Sequence, residues 1–195
     1  MGTDMVIKLV GLIVCASTIC AAQQTWSGLH FGMKAGEVKA ILKDRIKDEV
    51  RPVPARDSNT YNLEVKPFSV GDAQGHGYLT FKKQPNQLLE ILLMFKSGVP
   101  ETHCRWDTTP EEGAKIISAI NDVSGKLLEN YGTPILEQDW PSNEDITNHL
   151  VYRTRLIDAK RMWKREGQIV TEGLMLPCST PFITVDYRPD EKGDL

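Results

Sequence analysis

The chain has 195 residues, with 23 lysines and arginines against 26 aspartates and glutamates, which gives a formal net charge of −3. This near balance argues against a nucleic-acid-binding protein, for which a strongly basic domain is expected. The length is sufficient for one full-sized hydrophobic core, or for two small halves that share one.

An apolar segment, "VIKLVGLIVCASTICAA", covers residues 6 to 22 and is followed by the polar "QQTWSG". A charge at Lys8, a short apolar run and small residues up to Ala22 are the layout of a secretory signal peptide. We therefore expect residues 1–22 to be removed and the mature protein to be periplasmic or secreted. A retained membrane anchor or a buried strand is the alternative. No later apolar run is long enough to cross a membrane, so we expect no integral membrane segment after signal removal.

The segment "LHFGMKAGEVKAILKDR" predicts a short amphipathic helix that ends near Lys47, because four apolar residues share one helical stripe: Val38, Ile41, Leu42 and Ile46. Glu37 stands three residues after Lys34, in the position of a capping box. A lysine side chain cannot accept hydrogen bonds from the helix N-terminus, so this box is only half made.

Three strand-like segments follow, namely "YNLEV", "GYLTF" and "LLEILLMFK". In the third, alternation predicts one inward face formed by Leu89, Ile91, Leu93 and Phe95. The glycine-rich "GDAQGHG" before the second strand indicates a flexible hairpin loop. The alternative, an anion-binding loop, is less favoured because phosphate loops normally begin a helix.

Residues 110–131 predict the longest helix of the chain. Thr109 and Glu112 form a capping box around Pro110, and Gly132 ends the helix. The apolar stripe that should face the core consists of Ile116, Ile120, Val123 and Leu127.

Four further strands are predicted over residues 149–157, 159–164, 168–176 and 181–188, with 189–195 as a flexible tail. In the last strand Ile183, Val185 and Tyr187 should face inward. Strands grouped between helices favour an α+β fold, an antiparallel sheet with helices packed on one face. We expect one domain over 23–188. Two helix-plus-sheet halves, 26–100 and 105–188, remain open as its internal organisation.

Two motifs resemble known exported proteins. "GMKAGEV" is similar to the helix start of small bacterial envelope proteins of the SmpA/OmlA lipoprotein family, which belongs to the outer-membrane β-barrel assembly machinery. "LLENYGTP" resembles a helix end found in exported proteins of similar layout, and a related architecture occurs in tandem β-lactamase inhibitory proteins. The resemblance implies a helix-on-sheet binding module without catalysis. Lys34 departs from the family pattern, which has Ser or Thr there, and no lipobox is present, so lipid anchoring is not implied.

Catalytic and metal-binding motifs are weakly represented. The histidines His30, His76, His103 and His149 lack the spacing of a zinc site, and the chain has neither a G-x-S-x-G elbow nor a P-loop. His103 lies beside Cys104, but adjacent residues in an extended segment point to opposite faces, so a catalytic pair is not expected. We therefore expect no catalytic residue, no metal and no cofactor.

The strongest candidate binding surface is a basic cluster around an aromatic residue, formed by Arg153, Arg155, Lys160, Arg161, Trp163 and Lys164. Such a cluster can bind an anionic partner. The alternative is a solvated face that discourages edge pairing between sheets.

Cys104 and Cys178 are the two cysteines left after signal removal, and an even pair in an exported protein predicts a disulfide. Two reduced, separately buried thiols are the alternative.

Taken with the predicted export, these features favour a non-enzymatic binding or scaffolding protein of the cell envelope whose partner is another envelope protein. The alternative function is a small exported hydrolase that uses carboxylates such as Glu64, Glu90 or Asp186.

Overall fold

The computed structural model describes residues 26–47, 59–99, 108–152, 156–165, 167–177 and 180–190. The expected signal peptide and the last five residues of the tail lie outside this part of the chain, as do Cys104 and Cys178. The signal peptide and the disulfide therefore stay predictions.

Three helices and seven strands lie within the described residues. The helices are α1 (Ala35–Leu42), α2 (Pro110–Tyr131) and α3 (Asn143–Tyr152). The strands are β1 (Thr60–Val70), β2 (Ala73–Lys82), β3 (Leu88–Lys96), β4 (Leu136–Gln138), β5 (Ile157–Arg165), β6 (Gln168–Leu176) and β7 (Phe182–Pro189). Short 3₁₀ turns at Trp26–Gly28 and Lys43–Arg45 flank α1.

All seven strands form one antiparallel sheet in the order β1-β2-β3-β7-β6-β5-β4. Strands β1 to β3 make one meander and β5 to β7 make another, and the last strand of each meander pairs with the other at the centre. Strands from residues 26–100 and from residues 105–188 therefore belong to a single sheet. The α+β class predicted from the sequence is confirmed.

The two faces of this sheet differ in burial, and we call them the covered face and the open face. The covered face holds the core side chains, which meet across six strands in a row formed by Leu63, Leu79, Ile91, Tyr187, Val170 and Trp163. Helix α2 packs on this face, where the Ser124 hydroxyl donates to Glu172 Oε1 at 2.6 Å. The side chains between these buried positions point to the open face and are half-buried or exposed.

Helix α2 has the bounds and the caps that the sequence predicts. The Thr109 hydroxyl accepts from the Glu112 N–H at 3.2 Å, and the Glu112 carboxylate accepts from the Thr109 N–H at 2.9 Å. The predicted core stripe is buried.

A tight turn at Gly71 and Asp72 ties the first hairpin to α2. The Asp72 N–H donates to the Asp122 carboxylate at 2.6 Å, and the Ser118 hydroxyl donates to the Asp72 carboxylate at 2.7 Å. Gly71 has a φ of 54°, and a Cβ there would lie 2.1 Å from Asp122 Oδ2. The close approach of helix and turn therefore requires glycine.

Helix α1 begins as predicted and ends earlier than predicted. The Glu37 carboxylate accepts from the Lys34 N–H at 2.7 Å, which is the half of the capping box that a lysine permits. The helix ends at Leu42 because Lys43 takes a φ of 44°, so Ile46 joins the core through a bridge to Val65 instead of through the helix.

The strand predicted for residues 149–157 is wrong in its first part, where the structure has α3 up to Tyr152. A second capping box starts helix α3. The Ser142 hydroxyl accepts from the Asp145 N–H at 3.1 Å, and the Asp145 carboxylate accepts from the Ser142 N–H at 2.9 Å. Apolar burial by Ile146 and Leu150 then holds the helix in place.

Two details of the first meander also differ from the prediction. Most of "GDAQGHG" belongs to β2 and is not a flexible loop. Gly75 lies beneath Phe68 and Phe95, where an added Cβ would come within 2.8 Å of both rings, so this glycine serves close packing. A register shift near Phe81 places Leu88, and not Leu89, on the covered face.

We predict that Ile120→Ala lowers the free energy of unfolding by about 2–5 kcal/mol, because it leaves a cavity beneath α2. Ile120 is almost completely buried. Chemical denaturation of the purified protein measures the change. The matched control is Lys126→Ala on the outer side of the same helix, where the side chain is 56% exposed and a change within about 0.5 kcal/mol is expected. Equal effects of both variants would show that the packing face of α2 is wrongly assigned.

Candidate functional site

The open face is a broad surface of the sheet that the described helices leave uncovered. One row crosses it through Tyr78, Leu92, Asp186, Thr171 and Met162, and a neighbouring row runs through His76, Met94, Thr184, Gly173 and Lys160. At the start of β7, Phe182 lies opposite Met175 of β6, and the two side chains are 42% and 43% exposed. Apolar, thioether and polar side chains are therefore mixed over one continuous face.

The structure divides the basic cluster that the sequence singles out. Lys160 and Lys164 lie on the open face, whereas Arg161 and Trp163 alternate with them and lie on the covered face. Arg153 and Arg155 lie outside the described residues. The six residues are thus not shown to form one surface.

Trp163 is a core residue and not a surface anchor. Its side chain is 1% exposed, and its indole N–H donates to the Gly132 carbonyl at 2.8 Å, just beyond the end of α2. We therefore remove Trp163 from the candidate surface. Lys164 is engaged as well, in an ion pair of 2.5 Å with Asp190.

Arg161 belongs to a charged group at the β4 edge of the covered face. Its Nε lies 2.7 Å from the Glu137 carboxylate, and its guanidinium carbon lies 4.2 Å from the centre of the Trp140 ring. The ion pair and the cation–π contact together hold the Trp140 ring against the sheet.

The three carboxylates considered for a hydrolase all lie on the open face but do not form one acidic pair. Arg188 bridges Glu90 and Asp186, with N···O distances of 2.7 and 2.8 Å. Glu64 pairs with Lys47 at 2.6 Å. Three strand spacings separate Glu64 from Asp186, which is about 14 Å. Cations thus neutralise these groups, and the distance between Glu64 and Asp186 exceeds the usual separation of a catalytic carboxylate pair.

Histidines in the described residues do not form a metal site. His76 lies on the open face, where burial and the nearby Lys96 lower its pKa. His149 is buried in α3. Within the part of the chain that the structure describes, no group of three or more metal-ligating side chains comes together. Nor does any helix there have the length and apolarity to span a membrane.

The sequence interpretation missed a buried carboxylate, Glu172, in the middle of β6. Its side chain is fully buried beneath α2, Ser124 donates to one oxygen, and the second oxygen, Oε2, has no hydrogen-bond partner. Burial raises its pKa to about 7, against the smaller lowering effects of Ser124 and Arg161. In β6, every second residue faces the core, and Glu172 lies between the inward-facing Val170 and Leu174. This alternation in the sequence predicts that Glu172 is buried.

Two tyrosines lie near this carboxylate, Tyr131 at the end of α2 and Tyr187 in β7. Tyr131 and Tyr187 share a hydrogen bond, and burial raises the pKa of both phenols. Tyr187 and Glu172 are buried in the core and the half-buried Tyr131 packs against it, so we assign all three to stability and not to a site.

Comparisons of the chain with protein-family models, with curated proteins and with solved structures find no match. The similarity of "GMKAGEV" to the SmpA/OmlA lipoprotein family therefore stays an expectation from the sequence, and so does the likeness to β-lactamase inhibitory proteins.

We predict that Glu172 makes the folded protein less stable as the pH rises. With a pKa of 4.5 in the unfolded chain and about 7 in the folded one, Glu172 binds a proton more tightly when folded. Its contribution is fully present below about pH 4.5 and is lost as the pH passes through 7, a fall of about 3 kcal/mol in the free energy of unfolding. Glu172→Gln should remove this fall.

Chemical denaturation of the wild type and the variant between pH 5 and 8 measures the difference. The control is Glu129→Gln on the exposed side of α2, which should keep the pH dependence of the wild type. An identical pH profile for Glu172→Gln and the wild type would contradict the assignment of this group.

Proposed function

We propose that this chain is an exported, non-enzymatic binding or scaffolding protein of the bacterial cell envelope, periplasmic or secreted. It would hold another envelope protein against the open face. The observation that carries the proposal is the open face itself, a six-stranded surface without a described helix over it. The signal-peptide pattern of residues 1–22 supports the export.

The size of the open face suits a protein partner. Strands about 4.8 Å apart and about nine residues long give the six long strands a face of roughly 24 by 30 Å, or about 700 Å². A standard protein interface buries about 800 Å² on each side.

The composition of the face supports the same conclusion. Met94, Met162 and Met175 provide flexible apolar contacts of the kind that adapt to a partner surface. Tyr78 of β2 adds an aromatic ring beside Leu92. Aromatic residues and methionine are the side chains enriched at interfaces.

Charge also favours a protein partner. Acidic and basic side chains are interspersed on the open face, and Glu90, Asp186 and Arg188 form a bridged group. The net charge of −3 supports the absence of a nucleic-acid partner.

The exported hydrolase is the alternative function, and the positions of its candidate carboxylates weigh against it. A general acid or base needs a carboxyl group that can exchange a proton with substrate. Glu64 pairs with Lys47, and Glu90 and Asp186 pair with Arg188, so each carboxylate is already held by a cation of the protein.

We predict that Leu92→Glu reduces capture of the envelope partner about tenfold or more, because a charge then enters the centre of a desolvated interface. The matched control is Leu128→Glu on the outer side of α2, where the residue is 39% exposed and the same substitution should leave capture unchanged. Immobilised wild-type and variant proteins are incubated with envelope extract, and the recovered protein is measured.

Thermal unfolding of each variant establishes that both are folded before capture is compared. Undiminished capture by Leu92→Glu, or an equal loss with Leu128→Glu, would contradict docking on the open face.

A further inference from the structure

Strand β4 covers only part of the sheet edge. Its three residues pair with Lys160, Arg161 and Met162 of β5, and all three are exposed. Strand β5 extends further, over residues 157–159, which pair with β6 on one side. On the other side, no strand within the described residues lies against them.

The backbone at Asp139 explains why β4 stops there. This residue has a φ of 50°, which turns the chain away from the sheet directly after Gln138. Trp140 and Pro141 then lead to the Ser142 cap of α3. A non-glycine residue in this conformation costs free energy and is found where the surrounding structure requires it.

The departure of the chain opens a groove of about 580 Å³ beside the uncovered part of β5. We call this the edge groove. One wall is the segment from Asp139 to Pro141 with the start of α3, and the other is the beginning of β5. The groove continues the line of β4, so a chain lying in it would extend that strand.

The lining of the edge groove combines apolar surface with negative charge. Trp140, Leu156 and Ile157 supply the apolar part, and Leu156 is 53% exposed. Asp139 and Asp158 supply carboxylates. The Trp140 wall is held in place by Arg161, whose own charge is paired with Glu137.

We propose that the edge groove binds an extended, basic segment of the partner protein as an added strand beside residues 157–159. This inference rests on the proposed binding function and names the kind of segment that the partner presents. Backbone hydrogen bonds to β5 would provide the affinity, as in other cases of strand addition to an exposed edge.

Side chains would provide the selectivity. Alternate residues of the added strand point to opposite faces. Lysine or arginine side chains would meet Asp139 and Asp158, while an apolar side chain would lie between Trp140 and Leu156. Asp158 lies opposite Met175 of the neighbouring strand β6, on the open face. The edge groove therefore adjoins the larger docking surface.

An NMR titration of the ¹⁵N-labelled protein tests this inference. The probe is an end-capped heptapeptide in which valine and lysine alternate. Two control peptides replace lysine with glutamate, or carry backbone N-methyl groups that remove the hydrogen-bond donors along one edge. We expect saturable shifts of the amides of residues 157–159 and of the Trp140 indole with the basic peptide, and none with either control.

The double variant Asp139→Asn with Asp158→Asn should weaken binding of the basic peptide about tenfold, because it removes both charges and keeps the side-chain shapes. The matched control is Asp44→Asn in the 3₁₀ turn that packs against β1, at the opposite edge of the sheet, which should leave the affinity unchanged.

Absence of saturation up to millimolar peptide, equal binding of the glutamate peptide, or shifts confined to the open face would each overturn the inference. Capture of the envelope partner through Leu92 would persist in those cases if the proposed function is correct. The two failures are therefore distinguishable.

Discussion

The pairing of β3 with β7 determines the form of the whole molecule. These two strands are far apart in the sequence, yet Ile91 lies opposite Tyr187 and Leu93 lies opposite Val185. Each strand ends a three-stranded meander, so their antiparallel contact joins two small sheets into one. Each meander has one apolar side. The apolar sides of the two meanders together form one continuous core beneath α2. The opposite sides become one broad open face.

Polar groups buried on the covered face need hydrogen-bond partners within the protein. Glu172 lies in the centre of that face, and Ser124 of α2 satisfies one of its oxygens. Because water is excluded, the carboxyl group retains its proton up to about pH 7. The Trp163 indole finds its acceptor at the Gly132 carbonyl, beyond the end of the same helix. Helix α2 supplies the donor to Glu172, and Gly132 directly after it supplies the acceptor for Trp163.

Local signals in the sequence were sufficient for several elements. The capping residues Thr109 and Glu112 define the start of α2, and alternation places Ile183, Val185 and Tyr187 of β7 in the core. The second capping box, Ser142 with Asp145, carries the same kind of signal. Missing it led to a strand prediction where α3 lies.

The candidate site was less predictable, because it depends on pairing between distant segments. A basic cluster that is continuous in sequence is divided by strand alternation, which places Lys160 and Arg161 on opposite faces. The same alternation, applied to β6, would have identified Glu172 as buried. The extent of the open face and the edge groove follow from strand order and from the backbone at Asp139, and neither can be read from local periodicity.

We propose that the partner covers the open face while the outer side of α2 remains in solvent. Site-specific photo-crosslinking in cells that produce the protein tests it most directly, with a benzophenone amino acid placed at Met94 on the open face or at Lys126 on the outer side of α2. We expect a discrete crosslinked product from position 94 and none from position 126. A product from position 126 alone, or none from either position, would contradict it.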